Sequence, residues 1–185
     1  LEGALLISPK TIIDERGFFL ESWQKDSWAK IMNTHGQHPA EFIQENHSCS
    51  MRGTLRGLHF QVPPKAQSKL VRCIHGEIYD VVVDMRTKSN TFKNWAAVNL
   101  SDQNYQQMWI PSGFAHGFLA ISEITHVVYK STEYWDSKYE RNLLWNDKEI
   151  NIDWPINKFE IMNLTLSDKD LTAPSLNELD DNDLF

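Results

Sequence analysis

Cysteine is scarce in this chain, with two in 185 residues, Cys49 and Cys73. So few cannot make a disulfide scaffold, and free thiols in a cytoplasmic setting are expected. Cys73, set in an apolar run, reads as a small packed hydrophobe. No stretch reaches the roughly 18 consecutive apolar residues that a membrane-crossing helix needs. The start of the chain shows no secretory leader pattern, so none is expected. A basic surplus is missing too: 25 Asp and Glu against 18 Lys and Arg leave a net charge of −7. That balance argues against nucleic-acid and anionic-membrane partners, which need a basic face. Repeats, low-complexity tracts and an interdomain linker are absent. The chain reads as one domain over residues 1–185, with 172–185 a flexible, acidic tail.

What is present is aromatic and β-prone. The 7 Trp, 9 Phe and 5 Tyr suit half-buried sheets and the walls of a ligand pocket. Short extended segments recur at about 8–12-residue spacing between turn signals such as Ser101-Asp102 and Pro111-Ser112-Gly113, the pattern of a sandwich or barrel. Glu77 to Met85 is the most strand-like of them. Asp26 is expected to cap one helix, with Trp28, Ile31 and Met32 as its apolar stripe. A last helical turn is expected at Ser167 to Leu171. Trp23, Trp28, Trp95 and Trp109 are expected in the core.

The densest chemistry lies between Gly53 and Gly76, read as a strand, a Pro63-Pro64 turn and a second strand ending at His75-Gly76. Arg56, His59, Lys69 and Arg72 fall within this stretch. Its spacing resembles the metal-binding frame of cupin-type jelly rolls. Gly53 and His59 are in place, and Pro111, Gly113 and His116 supply the later element. Gln61, however, replaces one histidine ligand, and Lys69 stands where the glutamate ligand would be. An ammonium beside a divalent ion is repulsive, so a cupin-like pocket without metal is expected. Such a pocket suits proton abstraction next to a carbonyl, with His59 as base, Lys69 facing the enolate oxygen and Tyr129 as an acid on the other side.

Longer blocks extend the match. Gly-Thr-Leu-Arg-Gly-Leu-His-Phe-Gln (53–61), Lys-Leu-Val-Arg-Cys (69–73), Asp-Val-Val-Val-Asp (80–84), Trp-Ile-Pro-Ser-Gly-Phe-Ala-His-Gly-Phe (109–118) and Trp-Asn-Asp (145–147) resemble the dTDP-4-dehydrorhamnose 3,5-epimerase family. So do Asp-Glu-Arg-Gly-Phe-Phe (14–19), Gln-Glu-Asn-His-Ser (44–48), Tyr-Lys (129–130) and Leu-Ser-Asp-Lys-Asp (166–170), in family order.

The resemblance implies an antiparallel, all-β jelly-roll sandwich with short flanking helices. It also implies conversion of dTDP-4-dehydro-6-deoxyglucose to dTDP-4-dehydrorhamnose without a cofactor. His59 would be the proton acceptor backed by Asp170, Tyr129 the donor, and Lys69 the enolate partner helped by His116. Arg16, Arg56 and Lys169 would hold the diphosphate or sugar, and Phe19, Glu21, Gln44, Glu45, Asn46 and Glu140 would line the nucleotide and sugar. Trp135 stands where a tyrosine often stacks on the thymine, and an indole can do the same. The resemblance further implies a homodimer that exchanges an N-terminal strand, so that Arg16 and Phe19 serve the neighbouring pocket.

Other readings compete with this one. An epimerase acting at C3 or C5 alone would share the pocket, and a non-catalytic nucleotide-sugar sensor or a metal cupin would share the fold. For single residues, His35, His38 and His126 read as surface or packing groups, while His47 and His75 could be either structural or functional. Asp84 could cap a turn or hold His116. Arg72 could point outward or support the site from behind.

Overall fold

The computed structural model describes residues 1–185. Two antiparallel sheets of five strands each face one another. The first runs β1 (Leu5–Ile7), β9 (Gln107–Ile110), β6 (Lys69–His75), β11 (Ile124–Ser131), β4 (Gln44–Met51). The second runs β12 (Glu140–Asn142), β5 (Leu55–Gln61), β10 (Phe114–Ala120), β7 (Glu77–Asp84), β8 (Trp95–Ser101). The expected jelly-roll sandwich is therefore the fold.

Side-chain alternation divides the buried residues into three layers. Between the sheets lie Val71, Cys73, Met108 and Val127 from the first and Ile78, Val82, Phe114 and Phe118 from the second. Behind the second sheet, Leu55, Leu58, Phe60, Val81 and Val83 are covered by Leu143, Ile150, Trp154, Ile161 and Leu176 of the irregular C-terminal segment. β7 is thus buried on both faces, which is why it reads as an unbroken apolar run. On the outside of the first sheet, helix α1 (Lys25–Thr34) sets Trp28 and Met32 against Leu70 and Trp109.

Several expectations are corrected. The stretch 53–76 is not a hairpin, because β5 and β6 belong to opposite sheets. The Pro63-Pro64 turn cannot prolong a ladder and instead carries the chain across the sandwich. His75-Gly76 likewise leads from β6 in one sheet to β7 in the other. Helix α1 is capped by Gln24, whose Oε1 accepts the Ser27 N–H at 2.6 Å, and Asp26 sits in its first turn. Trp23 is partly exposed and packs edge-on against Phe42, while Trp95 is half-buried.

Residues 172–185 are packed rather than loose. Leu176 is buried, Leu184 and Phe185 lie on the core behind the second sheet, and the Phe185 N–H donates to the Met85 carbonyl. Their apolar side chains, spaced among the acids, decide the matter. The N-terminal β2 (Thr11–Asp14) and β3 (Gly17–Leu20) pair with each other as a separate hairpin. The last helical turn is found as α2 (Asp168–Leu171), capped by Ser167.

Candidate active site

Between the sheets lies a cavity of about 670 Å3. The second sheet supplies His59 on β5 and His116 on β10, which stand directly opposite each other in the ladder. From the first sheet come Lys69, at the start of β6, and Tyr129 on β11. Helix α2 adds Lys169 and Asp170, and β12 adds Glu140. Close strand contact next to the histidines depends on glycine. At Gly57 (φ +120°) a Cβ would come within 2.6 Å of the Gly117 Cα, and at Gly117 within 2.7 Å of the Arg56 carbonyl oxygen.

His59 Nε2 lies 2.5 Å from Asp170 Oδ1. Burial alone would raise the Asp170 carboxyl, yet hydrogen bonds from His59 and from Ser167 Oγ (2.8 Å) hold it below the usual carboxylate range. An ionised carboxylate only accepts, so His59 donates through Nε2 and keeps its lone pair on Nδ1. Burial also pushes the His59 imidazole below its ordinary value, outweighing the pull of Asp170. The ring is therefore neutral and basic near pH 7.

The Lys69 amine lies 3.5 Å from the His59 carbonyl oxygen. Burial brings it down to about 8, with Glu140 and Asp80 acting in the opposite direction. Burial also raises the Tyr129 phenol, so it remains protonated at neutral pH, with Arg56 opposing and Glu140 adding to the rise. Taken together, the cavity holds a neutral imidazole backed by a carboxylate, an un-ionised phenol on the facing sheet and a titratable ammonium. This set can remove a proton from one face of a carbon, return one on the other and stabilise an oxyanion between the two steps.

The remaining predicted residues divide into two groups. Arg56, His116, Trp135, Glu140 and Lys169 line the cavity. Arg56 is oriented by Ser50 Oγ (3.0 Å) and the Cys49 carbonyl (3.1 Å), and Lys169 Nζ lies 3.0 Å from Glu140. Gln44 and Asn46 line an adjoining recess with Trp135, whose backbone N–H donates to Gln44 Oε1 at 3.0 Å. Glu45 does not join them: strand alternation turns it to the outer face of β4, where it pairs with Lys130. Arg16 and Phe19 sit on the exposed β2–β3 hairpin, and Glu21 lines a separate recess beside α1, away from this cavity.

Gln61, at the cupin ligand position, is occupied elsewhere. Its amide donates to the Lys65 carbonyl (2.6 Å) and accepts the Asp136 N–H (2.8 Å). Asp84 caps a turn through Arg86, Ser89 and Thr91, and these bonds overcome burial to hold it at about 2. The carboxylate on His116 is instead Asp80, at 2.7 Å. Sequence reasoning missed it, although an acid inside an otherwise apolar strand was the available signal. Ser167, which donates to Asp170, carries in the sequence only the signal of a helix start. His47 and His126 share a 2.9 Å contact on the outer face, apart from this site.

Comparison with known proteins places this geometry among others. The family model described as dTDP-4-dehydrorhamnose 3,5-epimerase matches residues 1–178. A protein of that name from Shigella flexneri is 47% identical over 180 residues, covering 97% of this chain and 94% of its own length. The crystal structure of a dTDP-6-deoxy-D-glucose-3,5-epimerase from Legionella pneumophila, in complex with dTDP-4-keto-L-rhamnose, superposes with a TM-score of 0.91 at 40% identity, covering 98% of this chain and 92% of that one. A dTDP-4-dehydrorhamnose 3,5-epimerase from Bacillus anthracis, with TDP and PPi bound, gives 0.85 at 45% identity and covers 94% of each chain.

Proposed function

The chain belongs to the dTDP-4-dehydrorhamnose 3,5-epimerase family, and on that premise we infer how its cavity inverts two carbons of a dTDP-4-keto-6-deoxyhexose. The C4 ketone acidifies the C–H bonds at C3 and C5. His59 Nδ1 takes the proton, the electron pair moves into an enolate, and Lys69 with His116 neutralises the oxygen. Tyr129 delivers a proton from the opposite wall. His59 then carries the extra proton and Tyr129 has lost one, so transfer through solvent resets the pair. A ring adjustment brings the second carbon to the same base.

The observation that carries this reading is the placement of a neutral, carboxylate-backed imidazole and an un-ionised phenol on opposite sheets of one cavity, with a cationic amine beside them. Arg56 and Lys169 are the cations available to a diphosphate, and Trp135, more than half exposed at the rim, offers an aromatic face to the base.

The hairpin supports the exchanged homodimer. Ile13 and Phe19 are 72% and 68% exposed at its surface, and Arg16 there is bonded only to its neighbour Asp14. Docked on a second copy, it would carry Arg16 and Phe19 to the other cavity. No helix is long and apolar enough to cross a membrane. Two free cysteines accord with a cytoplasmic protein.

The test is NMR of dTDP-4-keto-6-deoxyglucose incubated with the protein in D2O. Deuterium should enter at both C3 and C5. Entry at one carbon alone would make the protein a mono-epimerase, and entry at neither would reject the reading. Sedimentation reports the dimer.

A further inference from the structure

The second histidine of the cavity has a carboxylate of its own. Asp80 on β7 is completely buried, and its Oδ1 lies 2.7 Å from His116 Nε2. The ladder pairs His116 with Val82 and Phe118 with Asp80, so the two side chains are diagonal neighbours. Its other oxygen, Oδ2, has no hydrogen-bond partner. The flanking inward positions of the same strand, Ile78 and Val82, are apolar and fully buried. A hydrophobic residue would suit this environment, and a half-satisfied buried carboxylate is costly there. Packing therefore gives no reason for the acid.

The contact requires a proton between Oδ1 and Nε2, which leaves Nδ1 as the other polar atom of the ring. A singly protonated ring would present the Nδ1 lone pair to any oxyanion in the cavity and repel it. A doubly protonated ring presents an N–H, and its positive charge then needs a counter-ion. We propose that Asp80 is a positioning residue of the reaction, locking the His116 ring and supplying the counter-charge that lets His116 and Lys69 face the enolate oxygen together as cations. This rests on the epimerase reading above. The charged and titratable groups that share the cavity with Lys69 or act on it include Glu140 from β12, Lys169 and Asp170 from α2, Arg56 and His59 from β5, His116 from β10, Tyr129 from β11 and Asp80 from β7. Asp80 and Glu140 are the two acids that favour its ammonium form.

Asp80→Asn isolates the charge, because the amide oxygen can still accept the Nε2–H. With the dTDP-4-keto sugar, kcat should fall about 10²-fold while KM stays within about threefold. The alkaline limb of the pH profile should move down by about one unit, since Lys69 loses an acid that holds its proton. Adding Asp80→Asn to His116→Asn should cost little more than His116→Asn alone.

A kcat within threefold of wild type or an unmoved alkaline limb would each overturn the proposal. So would a loss of activity that only follows a loss of cooperative melting. Wild-type protein that exchanges at both carbons beside an unaffected Asp80→Asn would sink this inference and leave the epimerase reading standing. Wild type that exchanges at neither would sink both.

Discussion

Replacing Lys69 with Met should inactivate the protein and stabilise it. The ordinary lysine value is near 10.5, and burial brings Lys69 to about 8. At 1.36 kcal/mol per unit this difference corresponds to about 3 kcal/mol by which the folded state disfavours the ammonium. The open cavity leaves part of the hydration in place, so a gain of about 2–3 kcal/mol on substitution is expected. The acids it leaves behind are not orphaned: Glu140 keeps Lys169 at 3.0 Å, and Asp80 keeps His116 at 2.7 Å. For a chain of this size the gain corresponds to a Tm rise of roughly 4–12 °C.

The pH dependence carries the sign. Above pH 8 the folded protein releases the Lys69 proton while the unfolded chain holds it until about 10.5. Wild type therefore gains stability across that window and the variant does not. The difference between them should be full below pH 8 and gone above about 10.5. Activity should drop at least about 10²-fold, the usual cost of losing one oxyanion partner. Urea melts from pH 7 to 10.5, with solvent-exchange rates on the keto sugar, check both halves. A variant less stable at pH 7, a difference flat across the window, or activity above a tenth of wild type would refute the reasoning.

Asp170→Asn keeps an oxygen that can accept the His59 Nε2–H but removes the charge that raises the imidazole against burial. The acid limb of the activity profile should then move to lower pH, and the rate at pH 7 should fall about 10²-fold because the base is weaker and held by a neutral acceptor in place of a carboxylate; a profile matching wild type would dissociate the pair from catalysis. Gly57→Ala places a Cβ against backbone atoms of the adjacent strand at 2.6 and 2.7 Å, in a positive-φ conformation. Neither neighbour can swing away, so urea denaturation should show a loss of about 3 kcal/mol, and a loss under 1 kcal/mol would argue against that close approach. Trp135→Ala should weaken dTDP binding about tenfold in calorimetry, with Trp135→Tyr close to wild type; equal affinities in all three would remove the stacking role.

The strand pattern carried the architecture because sheet alternation is local. Glu77 to Asp84 and Ile124 to Ser131 are found where β-prone runs bounded by turns placed them. Which strands pair is a different matter. β5 and β6 follow one another in sequence and lie in opposite sheets, because a turn of two prolines breaks the ladder without indicating where the chain goes next. The capping role of Gln24 is hidden in the sequence for a similar reason. Asp26 has the stronger intrinsic preference, but it lies past the point where the backbone has already become helical. β12 was hidden in an aromatic, irregular stretch and exists because Glu140 to Asn142 finds a partner in β5.

The site shows the same division between what spacing encodes and what assembly decides. His59, Lys69, His116 and Tyr129 were readable because each sits in a compact motif. Asp80 and Asp84 are four residues apart on one strand, and both are buried acids. Sequence offered the strand-end acid as the candidate for His116, yet Arg86, Ser89 and Thr91 claim it in the following turn. Only the ladder register, with Phe118 opposite Asp80, brings the interior acid diagonally onto His116.

The separation of base and acid has the same origin. A hairpin would have set His59 and Lys69 side by side on one sheet. The crossing at Pro63-Pro64 instead sends Lys69 to the sheet that also carries Tyr129, leaving both histidines on the other. A substrate held between the sheets then meets a base on one face and an acid on the other, as inversion at a carbon requires. The burial that makes this arrangement possible is the same burial that keeps His59 uncharged and lowers Lys69 toward neutral pH. Reactivity and local instability in this cavity therefore share one physical cause.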